Sequence, residues 1–421
     1  MKGFASILLG FVCFIQAVSA QFSGWGTYDS TNSPLPSSFI TTVAVDGDNV
    51  VWAGTNKGLA SFRELLQWDV YTTANTNLPD NWISRVKTDP SGNIWVGTLG
   101  GVLARYNGNS TFTVFDVSNS PLGVYCVTDF VFEGSTVWVS TEGGGVFRYD
   151  GTGWSGYNSQ SLGLPLDVAL SAAIDGQDRK YFGTANDGVF RLSGNTWTRI
   201  YTLNTNLPYD NIRAITVEND TSVWFGIGQQ VNDSCLTRYN GSQVTIFDSS
   251  TASGFPMRNI RHIYVDGSGN KWIASNNDED GGLFLYNDTT FRVFREFTSG
   301  LASNRVYESV MDDSSNLWVA TFRGLSVFNE SNQYLSEDGP APAAMFVKAW
   351  PNPATEELHF GLPQNGSYTF DILSATGSIL RSERLQAEGT VQLDIRNLQP
   401  GIYFMRFSGE EQRYLLRFVK M

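Results

Sequence analysis

A tryptophan that returns every 43 residues constrains this chain more than any other feature. It stands at Trp52, Trp95 and Trp138, is replaced by Tyr181, and returns at Trp224, Trp272 and Trp318, with four steps of 43 followed by 48 and 46. Six positions upstream of each stand Asp46, Asp89, Phe132, Asp175, Glu218, Asp266 and Asp312. The aspartates open turns such as DPSGN and DGSGN, where a carboxylate caps backbone N–H groups and glycine supplies positive φ. A side chain repeated around a whole molecule is structural, because a catalytic set would not recur in every unit.

Each repeat reads as four short strands, in the first unit ITTVAVD, VVWAGT, GLASFR and WDVY. Paired residues mark the fourth strand: Trp68/Tyr71, Phe112/Phe115, Trp154/Tyr157, Trp197/Ile200, Val244/Phe247 and Phe291/Phe294. Four strands per repeat of this length is the pattern of a β-propeller, whereas solenoid units are usually helical or shorter. The seventh unit lacks a fourth strand, yet GWGTY, residues 24–28, is a fourth strand with nothing before it. The expectation is an all-β, seven-bladed propeller over residues 21–335, closed by that N-terminal strand, which also covers an exposed edge. A composition of 42 glycines, 14% aromatic and 16% charged residues suits strands joined by tight turns.

The first 20 residues carry Lys2, an apolar run from Phe4 to Val18, and the small-residue site Val18-Ser19-Ala20. They read as a secretory signal peptide, too short for a stable span; the competing reading is a buried N-terminal helix. Cys13 lacks the flanking small residues of a lipoprotein site. Beyond the leader only Cys126 and Cys235 remain, too few for a disulfide framework, and two buried structural thiols are expected. A net charge of −13 argues against nucleic acid or an anionic membrane as partner. No cofactor is expected.

Toward the C-terminus, SEDGPAPAA (336–344) reads as a linker, placed at 336–345. The alternating strands of 346–421 predict a small Ig-like β-sandwich.

In a propeller the loops leading into the inner strands share one face with the loops joining the second and third strands. At the start of the inner strands on that face fall Trp82, Tyr125, Arg213, Arg261, Arg305 and Tyr307. Aromatics stack on sugar rings and arginines bind carboxylate or sulfate bidentately, so an acidic or neutral glycan is one expected ligand. The same residues also suit packing between blades and pairing with neighbouring carboxylates. Two loops on this face are longer than the rest, 226–235 and 276–282, and suggest a shaped rim or tolerated insertions. In the second, Asp278, Glu279 and Asp280 offer oxygen ligands to calcium, or form a solvated acidic loop. Arg85, Lys87, His262, Tyr264 and Glu308 are candidates to line the channel, where a uronate lyase would need a base and a cation. Serine-hydrolase elbows, zinc-ligand spacings and phosphate loops do not occur, and no residue is assigned a catalytic role.

TDPSGNIWVGTLGGVLARYNG and FEGSTVWVSTEGGGVFRYDG resemble repeats of the two-component regulator propeller family, and the resemblance covers residues 22 to about 334. In that family such propellers often form the periplasmic sensing half of hybrid histidine kinases. With neither a membrane span nor a kinase region in view, this chain is not expected to be a receptor itself. The C-terminal region resembles the type A sorting domain of the type IX (Por) secretion system, through Pro351-Asn352-Pro353, Gly377, Leu398, Gly401-Ile402-Tyr403 and Lys420. That resemblance implies partnership with the secretion machinery and export through the periplasm and outer membrane of a Gram-negative bacterium. The domain would be cleaved, and the cargo released or attached to surface lipopolysaccharide. The expected function is a secreted or cell-surface binding module for glycan or protein. The alternatives are an extracellular polysaccharide lyase or hydrolase using the same face, and a structural cargo with no small ligand.

Overall fold

The computed structural model describes residues 24–63, 67–123, 125–228, 236–247, 259–329, 345–346, 349–362, 366–374, 379–387, 389–408 and 413–421. The expected leader, Cys235, most of the 226–235 loop, residues 336–344 of the expected linker and Gly377 lie outside these residues.

The described residues hold seven four-stranded antiparallel sheets in the first 329 residues. Their inner strands are Ile40–Val45, Ile83–Thr88, Val127–Glu133, Ala169–Ile174, Ile212–Asn219, Ile260–Val265 and Val306–Met311, here numbered blades 1 to 7. Each inner strand packs against the next, and that of blade 7 packs against that of blade 1, so the sheets form a closed ring.

The recurring tryptophan and its upstream acid form a clasp across each blade's first hairpin. The indole Nε1 of Trp52, Trp95, Trp272 and Trp318 donates to Asp46, Asp89, Asp266 and Asp312 at 2.8–3.0 Å. Trp224 donates to Glu218 and the Tyr181 hydroxyl to Asp175. In blade 3, where Phe132 occupies the acidic position, Glu133 one residue later takes the Trp138 indole at 3.0 Å. The other carboxylate oxygen caps the turn, as when Asp89 accepts from the Ser91 and Asn93 amides at 2.9 Å. In the five blades with an aspartate, the clasp thus satisfies a buried aromatic donor and a tight turn with one side chain.

Every inner strand carries a β-bulge at its second residue. The extra residues are Thr41, Ser84, Thr128, Leu170, Arg213, Arg261 and Tyr307. In blades 1 to 3 the hydroxyl at this position donates to a backbone oxygen of the next inner strand: Thr41 to Ile83, Ser84 to Val127 and Thr128 to Ala169, at 2.5–2.6 Å. The bulge therefore turns a side chain from the sheet toward the neighbouring blade.

The ring is completed by the strand Trp25–Tyr28, which pairs antiparallel with Gly324–Phe328 of blade 7, Trp25 opposite Phe328. Its aromatic residues reach both neighbours. Trp25 lies 4.8 Å from Phe328 and 5.6 Å from Phe294 of blade 6, and Tyr28 lies 5.7–5.8 Å from Phe62 and Trp68 of blade 1. Gly324 is at φ +148°, and a Cβ there would come within 2.8 Å of Thr27 and 2.9 Å of the Tyr28 carbonyl oxygen. Only glycine allows the closing strand this close.

The described residues of 345–421 form a five-stranded and a three-stranded sheet around an apolar core that includes Leu358, Phe360, Phe370, Met405, Phe407 and Leu416. Asn352 accepts from the Val419 amide at 2.9 Å, and Ala354 bonds the Val419 carbonyl at 2.8 Å, so the Pro-Asn-Pro segment is fastened to the last strand. Gly401 stands opposite Lys420, Leu398 packs on the core, and the Tyr403 hydroxyl donates to Gln399 at 2.7 Å.

Candidate functional site

At the mouth of the ring, side chains from the starts of three inner strands and one turn form an aromatic group. Phe39 precedes the inner strand of blade 1, and its ring lies 5.1 Å from Tyr307, 5.2 Å from Phe322 and 6.4 Å from Trp82. Trp82 and Phe322 are 40% and 39% exposed, and with Phe39 between them they form a contiguous apolar patch, the kind of surface that marks an interaction site. Tyr125 is 40% exposed and rests on Gly143 and Gly144, where a Cβ would approach its ring to 2.8 and 2.5 Å. Sequence reasoning missed Phe39 and Phe322. Phe39 holds in blade 1 the place that Trp82 holds in blade 2, so alignment of the repeats contained the signal; Phe322, in a turn, left none.

The three arginines part company. Arg305 directly precedes its strand, whereas Arg213 and Arg261 are bulge residues, a position that blade 7 fills with Tyr307. Arg305 pairs with Asp278 through two hydrogen bonds, one of 2.6 Å, and its guanidinium lies 5.0 Å from the Phe322 ring centroid. The bond to Asp278 raises the Arg305 pKa, and the charge is neutralised locally. The same bond commits Asp278 of the proposed calcium loop, and among the described residues no three His, Cys, Asp or Glu side chains gather as a metal cluster.

Deeper in the channel, Arg85, Asp129, His262 and Glu308 occupy the position after the bulge on blades 2, 3, 6 and 7. Arg85 bridges Glu308 at 3.1 Å and Asp129 at 3.3 Å, and Lys87 adds a 2.6 Å contact to Asp129. Burial alone would lift the Asp129 carboxyl, but Lys87 and Arg85 outweigh it and hold it below the usual range. Glu308 accepts from Thr42 at 2.5 Å and the Val43 amide at 3.3 Å. His262 Nδ1 accepts from the Ser309 amide at 3.5 Å, which leaves the proton on Nε2, 3.4 Å from Glu308. The imidazole's one lone pair is therefore occupied. Tyr264, expected in the channel, instead packs in the apolar layer between blades 6 and 7, its hydroxyl accepting from the Met311 amide. Lys87 holds the equivalent place in blade 2 and reaches Asp129 from it, so it is the apolar contacts and the Met311 amide, not its position along the strand, that hold the Tyr264 ring between the blades.

Burial pushes His262 down to about 4, with Glu308 pulling the other way less strongly. The folded-state pKa then lies below the unfolded value of about 6.5, so the stabilisation is complete above pH 6.5 and is lost as pH falls toward 4. Over that window His262 is expected to contribute a fall of up to about 3 kcal/mol. Denaturant titrations between pH 4 and 7 check this: His262→Gln should flatten the slope, and an unchanged slope contradicts it.

Cys126 is half-buried and unpaired, its thiol pushed up to about 11 by burial, which makes it unreactive.

Comparison with known proteins follows the same division of the chain. Residues 348–421 match the secretion system C-terminal sorting domain. Residues 34–57 and 77–100, each an entry loop with the first two strands of a blade, match the two component regulator propeller. No curated protein matches the chain. Among solved structures, the extracellular domain of the hybrid two component system BT3049 from B. thetaiotaomicron superposes with a TM-score of 0.62 at 17% identity, covering 94% of this chain and 57% of that one. The chain thus spans little more than half that domain's length. A streptogramin B lyase superposes with a TM-score of 0.58 at 14% identity, covering 72% of this chain and 97% of that one. YCF48 from Cyanidioschyzon merolae gives 0.51 at 17% identity, covering 74% and 100%. At these identities the likeness establishes the propeller fold alone. Among the described residues no helix is long and apolar enough to cross a membrane.

Proposed function

We propose that this chain is an exported binding module whose propeller mouth holds a glycan. The observation that carries the reading is the aromatic group of Phe39, Trp82, Tyr307 and Phe322, in which the exposed Trp82 and Phe322 offer flat apolar faces to the apolar faces of sugar rings. The C-terminal sorting domain supports delivery by its secretion system to the cell surface or medium, through the periplasm of a Gram-negative cell. Binding is favoured over catalysis because His262, the histidine at the channel, has its lone pair engaged by Ser309.

A glycan array on the full chain, followed by calorimetry on each hit, tests this. Each stacked ring contributes roughly 1.5 kcal/mol, about tenfold in affinity. Trp82→Ala and Phe322→Ala should therefore weaken binding about tenfold each with little change in melting temperature, since both side chains are exposed. No hit, or hits indifferent to both substitutions, would overturn the reading; new reducing or unsaturated ends in the ligand would point to the lyase or hydrolase instead.

A further inference from the structure

Where blades 1 to 3 place a hydroxyl that closes onto the next strand, blades 5 and 6 place Arg213 and Arg261. Both Nε atoms are buried without a hydrogen-bond partner, and they are the only cationic atoms among the described residues in that condition. Among the described residues neither arginine has a carboxylate within salt-bridge distance; the exposed Glu142 attracts both only from farther away. The Arg213 side chain lies flat on Gly228, where a Cβ would come within 2.0 Å of its Cδ. Any other residue there would displace the arginine.

Both side chains face a cavity of about 290 Å³ in the channel, lined also by Arg85, Lys87, Asp129 and His262. The carboxylates in reach are spent: Asp129 and Glu308 are held by Arg85 and Lys87. Four cations thus face two anions, a surplus of two positive charges inside a chain whose net charge is −13. Neutral His262 does not add to it. Burial and the like charge of Arg213 push Arg261 down to about 10. A buried guanidinium nitrogen without a partner is rare because it is costly, and beside a surplus of positive charge it calls for a counter-ion.

We infer that the channel is an oxyanion site, in which Arg213 and Arg261 together grip one carboxylate, sulfate or phosphate group. Two planar guanidinium forks on adjacent strands suit the divergent oxygens of such a group, and the channel wall strengthens the contacts by excluding water. The inference rests on the channel and not on the glycan reading. Tyr307, the equivalent residue on the next blade, joins this site to the aromatic group above. The oxyanion is therefore either a free inorganic ion or the acidic group of a glycan seated on the mouth.

Thermal unfolding of the full chain in sodium sulfate and in sodium phosphate, against sodium chloride at equal ionic strength, tests the site. Sulfate or phosphate at millimolar concentration should raise the midpoint by several degrees, as a ligand of the folded state does. The Arg213→Gln/Arg261→Gln variant should lose that rise and, without anion, melt no lower than the native chain, since two unpaired charges are gone. Arg261→Lys keeps the charge but loses the fork, and should weaken the anion at least severalfold even if the double variant fails to fold. In the second arm, a uronate oligosaccharide that binds more tightly than sulfate and is weakened by Trp82→Ala identifies a glycan as the source. A uronate no tighter than sulfate identifies a free ion. Absence of an anion-specific rise in the native chain, or its persistence in Arg261→Lys and in the double variant, overturns the site while leaving the aromatic face to its own test.

Discussion

Glu308→Ala is expected to destabilise the propeller by about 3–5 kcal/mol, the usual effect of removing one member of a buried ion pair. Glu308 is 4% exposed and sits where blades 7, 1, 2 and 6 converge, touching Thr42, the Val43 amide, Arg85 and His262. Its loss leaves Arg85 with Asp129 alone and raises the surplus of positive charge in the channel from two to three. Glu308→Gln keeps the shape and the acceptor for Thr42, and should do less damage. Equilibrium denaturation of the two variants decides; a change below about 1 kcal/mol for the alanine variant would mean that the carboxylate does not bind these partners. The contrast with Arg213→Gln/Arg261→Gln is informative, because buried charges in the same channel should respond with opposite sign according to whether they are paired.

Removal of residues 24–28 is expected to cost more than about 5 kcal/mol, comparable with the whole stability of an ordinary domain. Trp25 and Tyr28 join blade 7 to blades 6 and 1. Without them the fully buried strand Gly324–Phe328 becomes an open apolar edge, free to pair with another chain. A chain starting at Asp29 should therefore aggregate or unfold without a cooperative transition. A sharp transition near the native midpoint would contradict the closing role.

The repeat was legible because each blade must solve one problem with one residue pair, so Trp95 and Asp89 recur as Trp272 and Asp266. The displaced strand was legible for the same reason: GWGTY had the pattern of a fourth strand and no unit of its own. The clasp between indole and carboxylate was not, since six residues of spacing do not reveal that the chain turns back on itself. The site was the harder part. Arg213, Arg261 and Arg305 look alike at the start of successive strands, but the bulge inserts one residue, and an offset of one sends a strand side chain in another direction. Bulges follow from pairing and cannot be counted on a single strand, so Arg305, which precedes the bulge of its blade, looked equivalent to Arg213 and Arg261, which are the bulge residues of theirs.

The mouth and channel exist only if blade 7 meets blade 1, in a ring closed by its own N-terminal strand. The hydroxyls of Thr27 and Ser326 stand 3.4 Å apart on opposite strands of that closure. With Cys126 and Cys235 replaced by serine, Thr27→Cys/Ser326→Cys should form a disulfide under mild oxidation of the folded chain. The bond would appear as a faster-migrating band on non-reducing gels and a higher unfolding midpoint. Two thiols that stay free in the folded chain, and react only after unfolding, would contradict it.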